Sequence, residues 1–320
     1  MARGKDVAVG DWFDRTPLIQ DQVPSVWVQS VLYKTPVRAV DRAVEALARS
    51  AELAVMEDGV CKRVVLSYGD CSPARCLEDA DLEGLRAKYG WIVEIRYTWF
   101  GENLGSARGH NRLAKDCDLE FMLVLNPDIV IAPRVIQHLL EPFTRTGTGM
   151  SEAKQLPLEH PKDYDPVTGD TSWAATACAM IPSEVFRHIG GFDEDTFFMY
   201  CDDVDFSWQV RLLGLRVVFQ PNAVVLHDKR LSSTGGWDPT PAERYYSAEA
   251  ALLLAHKWSR PDLVERILTD FEAHGDENQT RAARTYRTRV AQGDVPEPID
   301  GDRRVGVFDN GYYAKHRFEL

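Results

Sequence analysis

The 320-residue sequence has no long run of lysine and arginine, and its formal net charge is −12. A protein that binds a nucleic-acid backbone needs a basic face, so that class is excluded, although a local basic patch for a diphosphate is not. No apolar run approaches the roughly 20 residues of a membrane-spanning helix. The opening "MARGKDVAVGDWFDRTP" lacks the apolar stretch of a secretory signal. Cys61, Cys71, Cys76, Cys117, Cys178 and Cys201 show no C-x-x-C pairing, so the spacing of a zinc site is missing. Reduced, buried thiols in a cytoplasmic protein are the expectation. Also missing are G-x-G-x-x-G, the dinucleotide fingerprint, and G-x-x-x-x-G-K-[ST], the phosphate loop. There is no internal repeat and no low-complexity segment.

What the chain does have is 44% apolar residues, enough for a sizeable core, arranged as alternating strand and helix patterns. "SVWVQSVLY", "RVVLSY", "WIVEIRY" and the first half of "FMLVLNPDIVI" are β-branched or aromatic runs that predict buried strands. Helical spacing separates them, in "VRAVDRAVEALARSAEL" after Pro36 and in "LEDADLEGLRAKY", and follows in "PRVIQHLLEPF". This alternation predicts an α/β fold with a mostly parallel central sheet flanked by helices, whose ligands bind beyond the carboxyl ends of the strands. Residues 150–172 are rich in proline and aspartate and read as a long loop. A strand "ATACAMI", a helix "SEVFRHI" closed by Gly190–Gly191, a helix "VDFSWQVRLLG" and two short strands "RVVFQ" and "AVVLH" follow. Beyond Pro241 two helices, "AERYYSAEAALLLAHKW" and "PDLVERILTDFEAH", precede a polar tail.

Four features could carry chemistry. Asp128, in "LVLNPDI", follows a buried strand, where its carboxylate would face the ligand crevice and suit a magnesium-type cation; the alternative is a turn residue capping the next helix. Asp202, Asp203 and Asp205 crowd into four positions behind the apolar run Phe197–Tyr200. Close carboxylates raise one another's pKa or recruit a cation, and either suits proton removal from a hydroxyl; helix capping explains one of the three. His227 ends the strand "AVVLH", and its meaning depends on whether it meets Asp128. "NLGSARGHN" spaces small residues from Asn103 through Gly105 into a helix start, a pattern that lets a backbone approach a nucleotide.

In this order the segments resemble the family 2 glycosyltransferases, inverting enzymes of the GT-A fold, and most of all their rhamnosyltransferase-like branch. The resemblance runs from about Val26 to His227, over "VWVQSVLYK", "NLGSARGHN", "LNPDI", "GGFDEDTFFMYCDDVDFSWQVR" and "AVVLH". It implies a GT-A domain over residues 1–235, with a nucleotide-sugar half at about 20–150 and an acceptor half at about 151–235, then a C-terminal helical extension and polar tail at 236–320. It also implies that Asn126-Pro127-Asp128 stands for the metal-binding DxD motif, with Asp128 the surviving acid, Asn126 on the donor and His227 helping to hold Mn2+ or Mg2+. Asp202-Asp203 resembles the paired acids before the last helix, Asp203 being the general base; an Asp replaces the more common Glu at 202. Asp70, in "SYGDCSP", is the nearest match to the nucleotide-binding acid, though the usual Asp-Asn spacing is disturbed. Asn103 and Gly105 would line the donor. The implied reaction moves a sugar from dTDP-rhamnose, or a UDP- or GDP-sugar, to a glycan, lipid-linked, small-molecule or protein acceptor. The loop 156–173 and the helices after Pro241 would shape the acceptor site, with Trp173, Trp208 and Trp237 as stacking surfaces; for Trp208 a place in the core is the stronger expectation. Two other classes stand beside this one: a sugar-nucleotide-binding protein without turnover, which Asn126 favours, and a nucleotidyltransferase, which the lack of N-terminal glycines disfavours. "EAALLLAHKW" leaves a homodimer open, with packing onto the main domain the first expectation.

Overall fold

The apolar runs of the first half become strands buried on both faces. In the computed structural model, which describes residues 17–20, 22–160, 162–228 and 238–309, β1 is Val26–Leu32, β2 Val64–Asp70, β3 Val93–Trp99 and β4 Phe121–Leu125. They pair in parallel in the order β3-β2-β1-β4. Parallel neighbours need crossovers, and the amphipathic segments α1 (Val37–Glu52), α2 (Asp79–Tyr89) and α3 (Gly105–Ala114) supply them. The C-terminal ends of these strands therefore share one edge, where the loops at 70–76, 99–105 and 126–128 gather.

Past β4 the chain adds β5 (Ile129–Ile131), α4 (Val135–Leu140), β6 (Thr148–Leu156), β7 (Cys178–Pro182), α5 (Ser183–Ile189), α6 (Asp202–Leu212) and β8 (Arg216–His227). The sheet is completed in the order β3-β2-β1-β4-β7-β6-β8-β5. Four of its seven pairings are parallel, so the mostly parallel sheet expected from the sequence is present, with antiparallel contacts confined to β7 and β5.

Two expectations are corrected here. The segment 150–172 is not loop throughout, because its start lies in β6, inside the sheet. Ser151, Glu152 and Gln155 are polar yet buried, and a strand buried on both faces with polar residues among them does not show the apolar alternation that marks a strand. Glu152 is matched by Lys162, whose ammonium lies 2.6 Å from it, with the two side chains 0% and 2% exposed. The strands "RVVFQ" and "AVVLH" are one strand, β8. Its pairing with β6 jumps from Ala153↔Gln220 to Lys154↔Val224, and Pro221, which has no N–H to give, sits in that irregularity.

The C-terminal helices are α7 (Pro241–Lys257), α8 (Pro261–Ala273) and α9 (Glu277–Gln292). Thr240 and Glu243 form a capping box at α7, with Pro241 in the first turn. α9 goes unnoticed in a polar stretch because only Ala282, Ala283 and Tyr286 are buried. Leu252, Leu254, Trp258 and Phe271 from these helices share an apolar cluster with Trp173, Phe197, Cys201, Val204 and Trp208. The extension thus closes over α6 as part of a common core.

Burial pushes the Glu152 carboxyl up to about 7 despite the neighbouring Lys162. Lys162→Met should therefore destabilise the protein by about 3–5 kcal/mol at pH 8, where Glu152 must either stay charged without a partner or bind a proton against the pH. The loss should shrink at pH 5, where Glu152 can take up a proton. Urea unfolding of both proteins at the two pH values measures this difference.

Candidate functional site

The acid pair is built by a sharp entry into α6. Tyr200 and Cys201 both have left-handed backbones, with φ of 70° and 58°, a conformation that residues with side chains seldom adopt and that concentrates at functional sites. Cys201 is the N-cap of α6 and offers no side-chain cap, so Asp202 and Asp203 fall inside the first turn. There the unpaired N–H groups favour negative charge.

The three aspartates have separate surroundings. Asp202 is buried, and one of its carboxylate oxygens has no hydrogen-bond partner. Burial first, and the charge on Asp203 second, push its pKa up to about 7, while a hydrogen bond with Ser106 opposes them. Asp203 is half-buried and accepts from the Val204 N–H at 2.9 Å. Asp205 leaves the cluster altogether. It is fully buried and bound to Lys257, Trp258 and Gln209.

α3 reaches this pair through the apolar run. The Ser106 N–H donates to the Phe198 carbonyl at 2.9 Å. Gly105 has φ of 71°, and a Cβ there would collide with the same carbonyl and with the Phe198 ring. Asn103 turns its carboxamide oxygen to the Gly105 N–H at 3.3 Å. Asn111, one helical turn further on, bonds both the N–H and the carbonyl of Phe192, so the two motifs "NLGSARGHN" and "GGFDEDTFFMY" are stitched at both ends. The run Phe197–Tyr200 does not form one floor. Phe197 is core, whereas the half-buried Phe198 stacks on Tyr246 of α7 at 4.6 Å.

His227 does meet Asp128, with Nε2 3.2 Å from Oδ2. Its Nδ1 lies 2.7 Å from the Gln155 side-chain oxygen and donates to it, which leaves the Nε2 lone pair facing a carboxylate. A cation shared by both groups would make that contact favourable. One carboxylate and one imidazole held by an outer hydrogen bond suit a divalent ion that completes its sphere with phosphate oxygens and water. The described residues hold no cluster of three His, Cys, Asp or Glu that would cage a metal without a substrate. Asp128 does not cap α4, whose N-cap is Arg134 without a side-chain cap bond.

The two pairs lie along one short segment. The Asn126 N–H bonds the Ala177 carbonyl, and the Ala174 N–H bonds Ser207, whose hydroxyl donates to the Asp203 carbonyl. Three residues span at most about 10 Å, so one short segment, residues 174–177, ties the backbone of the Asn126 turn to the first turn of α6.

Asp70 has a different surrounding from the one its motif implies. It is fully buried, and its carboxylate accepts from the Ser72 and Cys76 N–H groups and the Tyr97 hydroxyl. Burial opposes its ionisation, but these bonds prevail and hold its pKa below the usual range. What faces outward beside it is Trp99, whose indole N–H donates to the Ser72 carbonyl at 2.9 Å. Trp173 and Trp208 are both core residues, and Trp237 lies outside the described residues. Ser106, Gln155 and Tyr246 were not picked out from the sequence. Ser106 lies within the small-residue motif, but no local signal marks the other two.

Gly105→Ala should destabilise by about 2–3 kcal/mol, since it adds both a disfavoured φ and a collision; chemical denaturation reads it directly. Asp202, with a folded pKa raised from 3.8 to about 7, contributes stability that is present at acid pH and lost as pH rises through that window. In a series of melting temperatures, Asp202→Asn should flatten the decline between about pH 4 and 7. Glu152 keeps a slope of the same sign, so the decline should be reduced rather than removed.

No family model matches the sequence. Two proteins described as N-acetylglucosaminyl-diphospho-decaprenol L-rhamnosyltransferase, from Mycobacterium tuberculosis strains CDC 1551 and H37Rv, are each 24% identical over 212 residues, or 55% of this chain. The match spans 66% of the length of those relatives. Among solved structures, GalNAc-T7 with UDP, GalNAc and Mn2+ superposes with a TM-score of 0.59 at 14% identity, over 83% of this chain and 55% of that one. A mannosyltransferase of Pyrobaculum calidifontis in complex with GDP-Man and Mn2+ gives a TM-score of 0.50 at 16% identity, over 89% and 84% of the two chains. With its curled, mostly parallel sheet, the chain has the fold of the GT-A glycosyltransferases.

Proposed function

We propose that the chain is an inverting glycosyltransferase that moves a sugar from a nucleotide-sugar donor to an acceptor hydroxyl, with Asp203 as the base. The observation that carries this is the division of labour within the acid pair. Asp202 is buried, and burial together with the charge of Asp203 raises its pKa, while Asp203 is the more accessible of the two. Two interacting carboxyls so divided suit an acid–base site.

Asp203 takes the proton of the acceptor hydroxyl as its oxygen forms a bond to the anomeric carbon. The bond from that carbon to the donor's diphosphate oxygen breaks on the opposite face, so the configuration inverts and a nucleoside diphosphate leaves. Ser106 holds Asp202, and the Phe198 contact keeps α3 against the acid turn. Asp128 and His227 would hold a divalent cation, Mn2+ or Mg2+, which offsets the charge of the diphosphate when bound. Asn126 lies beside them on the donor side. Asp70 shapes the nucleotide loop from within, and exposed Trp99 is the surface on which a base would stack. The rhamnosyltransferase relatives favour a dTDP-rhamnose donor and a lipid-linked glycan acceptor. UDP- and GDP-sugars are the alternatives to test.

A panel of nucleotide-sugars, screened by thermal shift with and without Mn2+, should yield one donor class whose effect needs the metal. Asp128→Asn should weaken that shift. Transfer should fall by about 10²–10⁴-fold in Asp203→Asn while donor binding stays within a few-fold of wild type. Equal transfer rates in Asp203→Asn and wild type would remove the base. Metal-dependent donor binding without transfer to any acceptor tried would favour a binding protein instead.

A further inference from the structure

We propose that Lys257, the last residue of α7, is a positioning residue for the acid pair, which makes the C-terminal helices part of the transfer machinery. This rests on the proposed transfer reaction. The Lys257 ammonium lies 2.7 Å from Asp193 and 2.8 Å from Asp205. The neighbouring Trp258 donates its indole N–H to the other oxygen of Asp205 at 2.9 Å. Asp205 lies in the first turn of α6, and its own N–H closes that turn on the Cys201 carbonyl. Asp193 opens the preceding segment, where its side chain receives the Thr196 N–H and its carbonyl the Phe197 N–H. One buried cation from the extension thus grips both ends of the stretch that carries Phe198, Tyr200, Cys201, Asp202 and Asp203.

That stretch needs gripping. It contains two consecutive left-handed residues with side chains, Tyr200 and Cys201, a conformation that persists only where the surroundings over-determine it. It also carries an acid with an unpartnered buried oxygen, Asp202. A relaxed backbone would change the direction of both acids. An apolar core could hold α7 against α6 without a lysine, because a buried ion pair gives little net stability over well-packed hydrophobic residues. What the ammonium adds is direction, since Asp193 and Asp205 must both point at one atom. The lysine acts on the reaction through these two carboxylates.

The test uses the full chain with Lys257→Met and the double variant Lys257→Met/Asp205→Asn. The second removes the unpaired buried charge that could keep the first from folding. Hydrogen exchange at the amides of Val204, Asp205 and Phe206 should speed up at least about tenfold in both variants, with the amides of β1–β4 unchanged. With the donor found by the panel, kcat should fall about 10–100-fold while the donor KM stays within about threefold, the signature of a misplaced base rather than lost binding. Wild-type kcat in the double variant, or a proportional change of kcat and KM, overturns the proposal. So does unchanged exchange at the start of α6. Exchange is read without turnover, so a wild-type protein that transfers nothing would sink the proposed function and leave the clamp to be judged by exchange alone.

Discussion

The site depends on a contact that only a backbone without a side chain can make. α3 comes down onto the Phe198 carbonyl at Gly105, and the next residue both bonds that carbonyl through its N–H and meets Asp202 through its hydroxyl. Any Cβ at 105 would force α3 away and take Ser106 with it. The sheet brings the loops after β2, β3 and β4 to one edge, as parallel sheets do. It is this close approach that attaches the acid turn, nearly a hundred residues later in the chain, to the same edge.

Three aspartates in four positions would repel one another in a solvated loop. The structure answers the repulsion by giving each a different environment. Asp205 is paired with Lys257 from the C-terminal helices, Asp202 is desolvated so that its charged form is disfavoured, and Asp203 stays half-buried. The apolar run in front of them serves two purposes as well. Phe197 anchors in the core while Phe198 and Tyr246 make an aromatic wall beside Gly105. At the other pair the His227 ring lies between the Asp128 carboxylate and the Gln155 carboxamide oxygen, a place that suits positive charge.

The parts that were legible in the sequence are those set by local pattern. β1 to β4 and the helices between them follow from buried apolar runs and helical spacing, and Gly190, with φ of 94°, ends α5 as its position suggests. β6 does not show in the sequence because its buried residues include Ser151, Glu152 and Gln155, the last two partnered by Lys162 and His227 from elsewhere in the chain. The break read between "RVVFQ" and "AVVLH" was a bulge, which looks like a turn when only the proline is visible. The acids were legible as a group, but their division was not, since it is imposed by Lys257, Trp258 and Ser106. Asp70 was found by its place after β2. Its partners are Ser72, Cys76 and Tyr97, and only the last of them is distant enough to need the fold.

Lys162 also ties down the long segment between β6 and β7, with its ammonium 3.8 Å from the Trp173 ring as well as against Glu152. The root of that segment is therefore wired into the middle of the sheet. A loop exchange at this place would transplant half of a buried charge pair if it moved the loop alone. A chimera built here has to carry the residue at 152 with the graft, or exchange both members for neutral side chains of similar volume.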